Sequence, residues 1–223
     1  METHEFVRDL ESLRDERLRG LAGTGGVPPE ERGAGEGPSA GDAVGLLQIA
    51  LANEIGVSEL AAAWMPATPE VDVKIALARQ AGDEARHFML VAERLRALGF
   101  DPDGFTPPGP NPLFDYLRAL PTSIERIAAG LFTLESIAYD VNDRFIQLCE
   151  SRGDRETARI YREHIQPDEA AHRDLGRTLL LKYATGQDAR TRARSAVLRT
   201  IEIAAAQRAR AAERLGTRCF PGC

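Results

Sequence analysis

Two short stretches of the chain are near copies of each other: Asp83-Glu84-Ala85-Arg86-His87 and Asp168-Glu169-Ala170-Ala171-His172. Each contains Glu-x-x-His, and on a helix that spacing sets a carboxylate and an imidazole on one face, a turn apart. The chain has four histidines, His4, His87, His164 and His172, so half of them fall in this pattern. Two further acids stand out by context: Glu54 in LLQIALANEIGV and Glu135 in AAGLFTLESIAY. Carboxylates gathered in an apolar core are heavily penalised unless positive charge joins them. Two divalent cations would supply it. Four Glu and two His are the donors of a carboxylate-bridged metal pair inside a helical bundle. That set is hard enough for Fe(II) or Mn(II) and lacks the thiolates of structural zinc.

The elements that must position these residues are helices. Residues 3–19 read as a short amphipathic helix carrying Phe6, Leu10, Leu13 and Leu18. Residues 21–41 are crowded with Gly and Pro and read as a flexible connection. Val44, Leu47, Leu51, Ile55 and Leu60 mark a helix over 42–65, ended by Met65-Pro66. Thr68-Pro69-Glu70 predicts the next start, and Gly99 a cap after Leu98. Six prolines over 100–121 predict a long irregular crossing, with a turn or two of helix at 113–120. Thr122 and Glu125 have capping-box spacing and open a helix to about Ser151. After Gly153-Asp154 a helix follows from Arg155 to about Ala184, with Pro167 expected to kink or split it. Gly186 breaks it, and a last helix covers 189–215.

These elements predict an all-α single domain over 1–223. Its core, 42–184, is a four-helix bundle of two hairpins joined by one long crossover, with an extra helix at each end. Glu54 lies 30 residues before Glu84, and Glu135 lies 34 before Glu169. With turns near 67 and 153, the offsets along the hairpins differ by only a few ångströms at about 1.5 Å per residue. All six groups can then meet at one level.

Composition excludes other classes. The chain is 43% hydrophobic with a net charge of −6, which argues against nucleic acid as a partner. The N-terminal stretch is charged throughout, and no apolar run is read as a membrane span. Three cysteines are too few for a disulfide framework. The expectation is a cytoplasmic protein with no membrane partner. No GxGxxG, GxxxxGK[ST] or GxSxG pattern occurs. The arginines of the last helix read as a solvated face, and Cys219-Phe220-Pro221-Gly222-Cys223 as a loose reduced tail. His4 reads as solvated, and His164 as lying outside the ligand set.

In chain order, Glu54, Glu84-Ala85-Arg86-His87, Glu135 and Glu169-Ala170-Ala171-His172 resemble the ferritin-like di-iron carboxylate superfamily over about residues 42–184. The resemblance implies that Glu84 and Glu169 bridge two irons, with manganese possible at either position. It gives Glu54 and His87 to one iron, and Glu135 and His172 to the other. It also implies that Asp83 and Asp168 hold the ligand histidines from behind, since a ligating imidazole needs a partner on its other nitrogen. Asp-Glu-x-Arg-His is similar to the bacterial multicomponent monooxygenases. The second copy has Ala171 at the arginine position, so that role transfers only to Arg86.

The expected function is that of an oxygen-activating oxidoreductase acting on a small organic substrate. It would use O2 and an electron donor, and form at most a small homo-oligomer. Similar single-subunit chains include tRNA hydroxylases and aldehyde-deformylating oxygenases. Helical register places Leu51, Val57, Gln80, Leu131, Phe132 and the candidate pocket residue Tyr139 near the ligands. A ferroxidase or iron-handling protein is the first alternative. An RNA-modifying enzyme resembling the tRNA hydroxylases is the second, and it would rely on the arginine-rich last helix.

Overall fold

The computed structural model describes residues 2–22, 40–106, 111–215, 219, 221 and 222. Of the connection expected at 21–41, residues 21, 22, 40 and 41 belong to helices, and 23–39 lie outside the described residues, as do residues 107–110 of the crossover. Among the described residues every regular element is helical. α1 spans Thr3–Ala22, α2 Ala40–Trp64 and α3 Val71–Ala97. The crossover holds a single 3-10 turn, Pro102–Gly104, and α4, Pro112–Arg118. Asn111 caps α4, its side chain accepting from the Leu113 amide at 3.0 Å.

Two long continuous rods follow, and each contains a π-helical stretch. Residues 123–151 comprise α5 (Ser123–Ile127), π1 (Ala128–Leu134) and α6 (Glu135–Ser151). Residues 155–183 comprise α7 (Arg155–Ile160), π2 (Tyr161–Ile165) and α8 (Gln166–Tyr183). α9, Gln187–Leu215, closes the fold.

Several start and stop signals are realised. Thr122 and Glu125 form both halves of the capping box. Gly99 takes the left-handed backbone, φ +86°, just past the end of α3. Asp154 caps α7, and Arg94 of α3 donates to it at 2.8 Å. Thr68 does something else. Its hydroxyl donates back to the Trp64 carbonyl at 2.8 Å, closing the end of α2, so α3 begins later, after Glu70. Pro167 stands inside the second rod, just after the chain widens into π2, and the wider turn accommodates its missing N–H and ring without ending the helix.

The apolar residues fall into two clusters with a polar layer between them. Along α2, Leu46, Leu47 and Leu51 belong to one cluster, and Val57, Leu60 and Trp64 to the other. Along α3 the order reverses, with Val73 and Leu77 in the second cluster and Val91 and Leu95 in the first. This is what antiparallel packing requires. Glu54, Glu84 and His87 lie at the change of cluster, and so do Glu169 and His172, whereas Glu135 lies among residues of the second cluster, between Leu134 and Ile137. α2 is itself apolar enough over Ala43–Trp64 to pass a length-and-hydropathy test for a membrane span. This corrects the reading that no run is that apolar. α2 packs along α3 and buries Glu54 inside the protein.

The π1 stretch is held from outside. Thr133 Oγ1 donates to the Ala128 carbonyl at 2.7 Å, and Ser136 Oγ to the Phe132 carbonyl at 2.7 Å. Arg14 of α1 lies 4.3 Å from the centre of the Phe132 ring. Gly176 of α8 sits directly on this stretch. A Cβ there would fall 2.5–2.7 Å from the backbone of Leu131 and Phe132. Backbone cannot swing aside as a side chain can, so Gly176→Ala is expected to destabilise by roughly 1–3 kcal/mol. A lowered thermal midpoint checks this, and an unchanged one would show that the two rods are free to part.

Candidate metal centre

Six buried side chains from four rods meet in the polar layer: Glu54 from α2, Glu84 and His87 from α3, Glu135 from α6, and Glu169 and His172 from α8. Each is less than 5% exposed. Their donor atoms form two groups, each with its atoms within 4.8 Å of one another: Glu54, Glu84, His87 and Glu169, and then Glu84, Glu135, Glu169 and His172. Glu84 and Glu169 belong to both. The oxygens of Glu84 are divided between the halves. Oε2 lies 3.2 Å from His87 Nδ1, and Oε1 lies 3.4 Å from His172 Nδ1. Glu54 stands 3.4 Å from His87 Nδ1, and Glu135 3.6 Å from His172 Nδ1. All six residues singled out as ligands in the sequence are therefore brought together.

Both imidazoles turn Nδ1 to the centre and Nε2 outward. The outward partners are crossed. His87 Nε2 lies 3.1 Å from Asp168, and His172 Nε2 lies 3.0 Å from Asp83. Each aspartate thus serves the histidine of the other motif and ties α3 to α8. Arg86 donates to Asp168 and stands 3.9 Å from Asp83, so one guanidinium sits between the two aspartates. Gln80, one turn before Glu84, donates to Glu135 Oε1 across the layer.

The donors fit cations in their chemistry and in what they lack. Glu84 Oε1, Glu169 Oε2 and His172 Nδ1 are buried with no hydrogen-bond partner. An orphaned buried polar atom costs about 1–3 kcal/mol. Three in one cluster mark a place where something else belongs. Without metal, protons fill the role. Burial raises the Glu54 carboxyl to about 8. Burial also lifts Glu169 well above its ordinary range, and Glu135 and Glu84 beside it add to the shift. Burial opposes charge on His87 and His172, but the carboxylates of Glu54 and Glu84 hold the first at about 11, and those of Glu135 and Glu84 the second. Burial pushes Glu84 up as well. The imidazoles of His172 and His87 outweigh it and keep this carboxyl below its usual range.

At neutral pH the metal-free cluster therefore carries protons on Glu54, His87 and His172. Ligands must be deprotonated to coordinate. Loading with Fe(II) is expected to release protons, and apparent affinity is expected to climb from about pH 6 to pH 8 as the competing protons thin out. Calorimetric titration in two buffers of different ionisation enthalpy reads the release. An affinity flat with pH would mean that the cations bind elsewhere.

A small cavity adjoins the centre, bounded by Asn53, Glu54, Val57, Glu84, Glu135, Ala138, Glu169 and Gly222. Of the residues expected to line it, only Val57 does. Leu51 belongs to one apolar cluster, and Leu131 and Phe132 to the other. Gln80 is spent on Glu135. Tyr139 is corrected most. It lies half-buried with the Arg173 guanidinium 4.6 Å over its ring, and Ala138 takes the inward position. The tyrosine of the interior is Tyr161 in π2, fully buried, with a hydroxyl that has no hydrogen-bond partner. Burial holds that phenol well above its ordinary range, and the charge of Glu54 adds to it. The available signal was its place eight residues before Glu169, two helical turns away. His4 is exposed and His164 half-buried, neither in the cluster. A second, mostly apolar cavity lies beside Leu46, Leu47 and Phe145 with Arg152, Asp154 and Thr157 at its edge, and its Cys149 thiol is pushed up to about 12 by burial and left unreactive.

Fold and site together define an all-helical protein with a buried carboxylate–histidine cluster able to hold metal. The chain matches a family described as "Protein of unknown function (DUF455)" over residues 58–212, and it belongs to that family. Comparison with curated proteins and with solved structures gives no match.

Proposed function

We propose that the chain is a ferritin-like oxidoreductase whose six ligands hold two iron ions, with manganese possible at either position, and that it oxidises or hydroxylates a small organic substrate with O2. The observation that carries this reading is the sharing of Glu84 and Glu169 between the two donor groups. One cation would need one group, whereas two groups with common carboxylates suit a bridged pair. The pair, when bound, would supply electrons for reducing O2, and a separate donor would restore them.

The chain's own residues do the rest. Glu54 and Glu135 terminate the two halves, and Asp83 and Asp168 orient the imidazoles. Arg86 donates to Asp168 and stands beside Asp83, so it joins the two aspartates at the edge of the layer. The two apolar clusters exclude water from either side of the layer, which strengthens every electrostatic interaction inside it. A cytoplasmic setting and a small homo-oligomer accompany this reading.

The RNA-modifying alternative loses support from the last helix. Arg190 donates to the Ala184 carbonyl, Arg192 pairs with Asp188, Arg199 with Glu202, and Arg208 donates to the Gly222 carbonyl. These cations are spent within the protein.

The test is aerobic oxidation of Fe(II) by the full chain. An enzyme of this kind oxidises about two irons per chain and then stops without an organic substrate and a donor. It also elutes as a monomer or small oligomer. Repeated cycles that build a mineral inside a large shell would establish iron storage instead. Ala138→Phe, which spares every ligand, is expected to keep metal binding and to block entry of substrate.

A further inference from the structure

The segment expected to hang loose is seated on the centre. Cys219, Pro221 and Gly222 are buried, and Gly222 forms part of the wall of the cavity shared with Glu54, Glu84, Glu135 and Glu169. It is held at both backbone groups. Its N–H donates to Asn142 Oδ1 at 3.1 Å, and its carbonyl accepts from Arg208 Nη1 at 3.0 Å. Asn142 is wholly buried in α6, and its Nδ2 has no partner among the described residues. Asn53, next to Glu54 and also buried, closes the third side. A Cβ on Gly222 would fall 2.2 Å from Asn53 Nδ2, and the backbone there is left-handed at φ +82°. Only glycine fits this seat, and Pro-Gly favours a turn of that kind.

A buried asparagine and an arginine that bond the two backbone groups of Gly222, with Asn53 packed against its Cα, amount to a peptide-binding site. With the segment in place the space beside the four carboxylates, open mouth included, is about 230 Å3. That leaves too little enclosed room for an organic substrate of ordinary size.

We propose that the mouth of the centre is a cleft that binds a Pro-Gly peptide, filled in this structure by the chain's own Pro221 and Gly222 as a removable stopper, and that a substrate gains the centre by displacing them. The cleft stands on the geometry alone. Only the kinetic readout rests on the two-metal reading.

The test uses the full chain with Gly222→Ala and, separately, Arg208→Ala. The first readout is alkylation of Cys219, buried in the wild type, followed by peptide-resolved mass spectrometry. The second is the rate at which a chelator removes Fe(II) from protein loaded to equal stoichiometry. Both rates are expected to rise about tenfold in Gly222→Ala, the amount that a left-handed backbone alone costs a residue with a Cβ. A synthetic peptide of residues 216–223 should restore slow extraction, and a scrambled peptide with the same two cysteines should not. Faster alkylation with unchanged extraction would overturn the proposal, because the segment would then be an ordinary piece of the fold. Rates unchanged in both variants would overturn it too. A failure of the two-metal reading shows differently: wild-type protein would hold no Fe(II), while the alkylation rates still respond.

Discussion

Replacing Glu84 with alanine is expected to empty both halves of the centre, and Glu169→Ala to do the same. Each carboxylate belongs to both donor groups, and the two oxygens of Glu84 face different histidines. Removing a carboxylate at the edge is a smaller change. Glu54→Ala leaves Glu84, Glu135, Glu169 and His172 together, so one cation is still held. Loss of an outer partner costs about 10–100-fold in metal affinity, and loss of a shared ligand should exceed that at both positions. Metal analysis after anaerobic loading and desalting distinguishes the cases. Equal, one-metal losses in Glu54→Ala and Glu84→Ala would show that Glu84 is no bridge. The metal-free stability of Glu84→Ala must be read alongside, because His87 and His172 lose the carboxylate that helps keep them charged. That contribution is fully present below the ordinary histidine range, and in the wild type it is lost only as pH rises through about 11.

The second large effect comes from the crossed aspartates. Asp168→Asn removes the charge behind His87 Nε2, although Asp168 adjoins Glu169 in sequence. The loss of affinity, about 10–100-fold, should fall on the half that contains Glu54 and His87. Asp83→Asn should weaken the half that contains Glu135 and His172. Spectroscopic titration with Co(II), in which the two positions fill in sequence, follows each half. A uniform loss in either variant would mean that the aspartates act through the shared arginine instead, since Arg86 reaches both.

The parts of this arrangement legible in the sequence are those set by local spacing. Glu-x-x-His at helical spacing, an acid in an apolar stretch and a Thr122–Glu125 capping box each depend on a few neighbouring residues. The fold realises all of them. What depends on contacts between rods was not legible. Nothing in Asp83 or Asp168 says which histidine each will meet, because that follows from how closely α3 approaches α8. The π stretches escaped for a related reason. In π1 the carbonyls of Ala128 and Phe132 accept from Thr133 and Ser136, and Gly176 leaves room for the backbone; all three read as ordinary helix positions.

Tyr139 misled because i+3 and i+4 both share the face of Glu135, offset to opposite sides of it. The cavity lies on the side of Ala138, and the tyrosine sits under Arg173. The tail misled because Asn142 and Arg208 bind the backbone of Gly222 rather than any distinctive side chain, and Asn142 and the neighbouring Asn53 lie far away in sequence.

The central claim is that Glu54, Glu84, His87, Glu135, Glu169 and His172 form one centre for two cations. Anaerobic titration of the full chain with Fe(II), with bound metal counted after gel filtration, tests it most directly. The account predicts saturation at about two irons per chain, falling to near zero in Glu84→Ala. Saturation at one iron, or no retained iron in the wild-type protein, would contradict it.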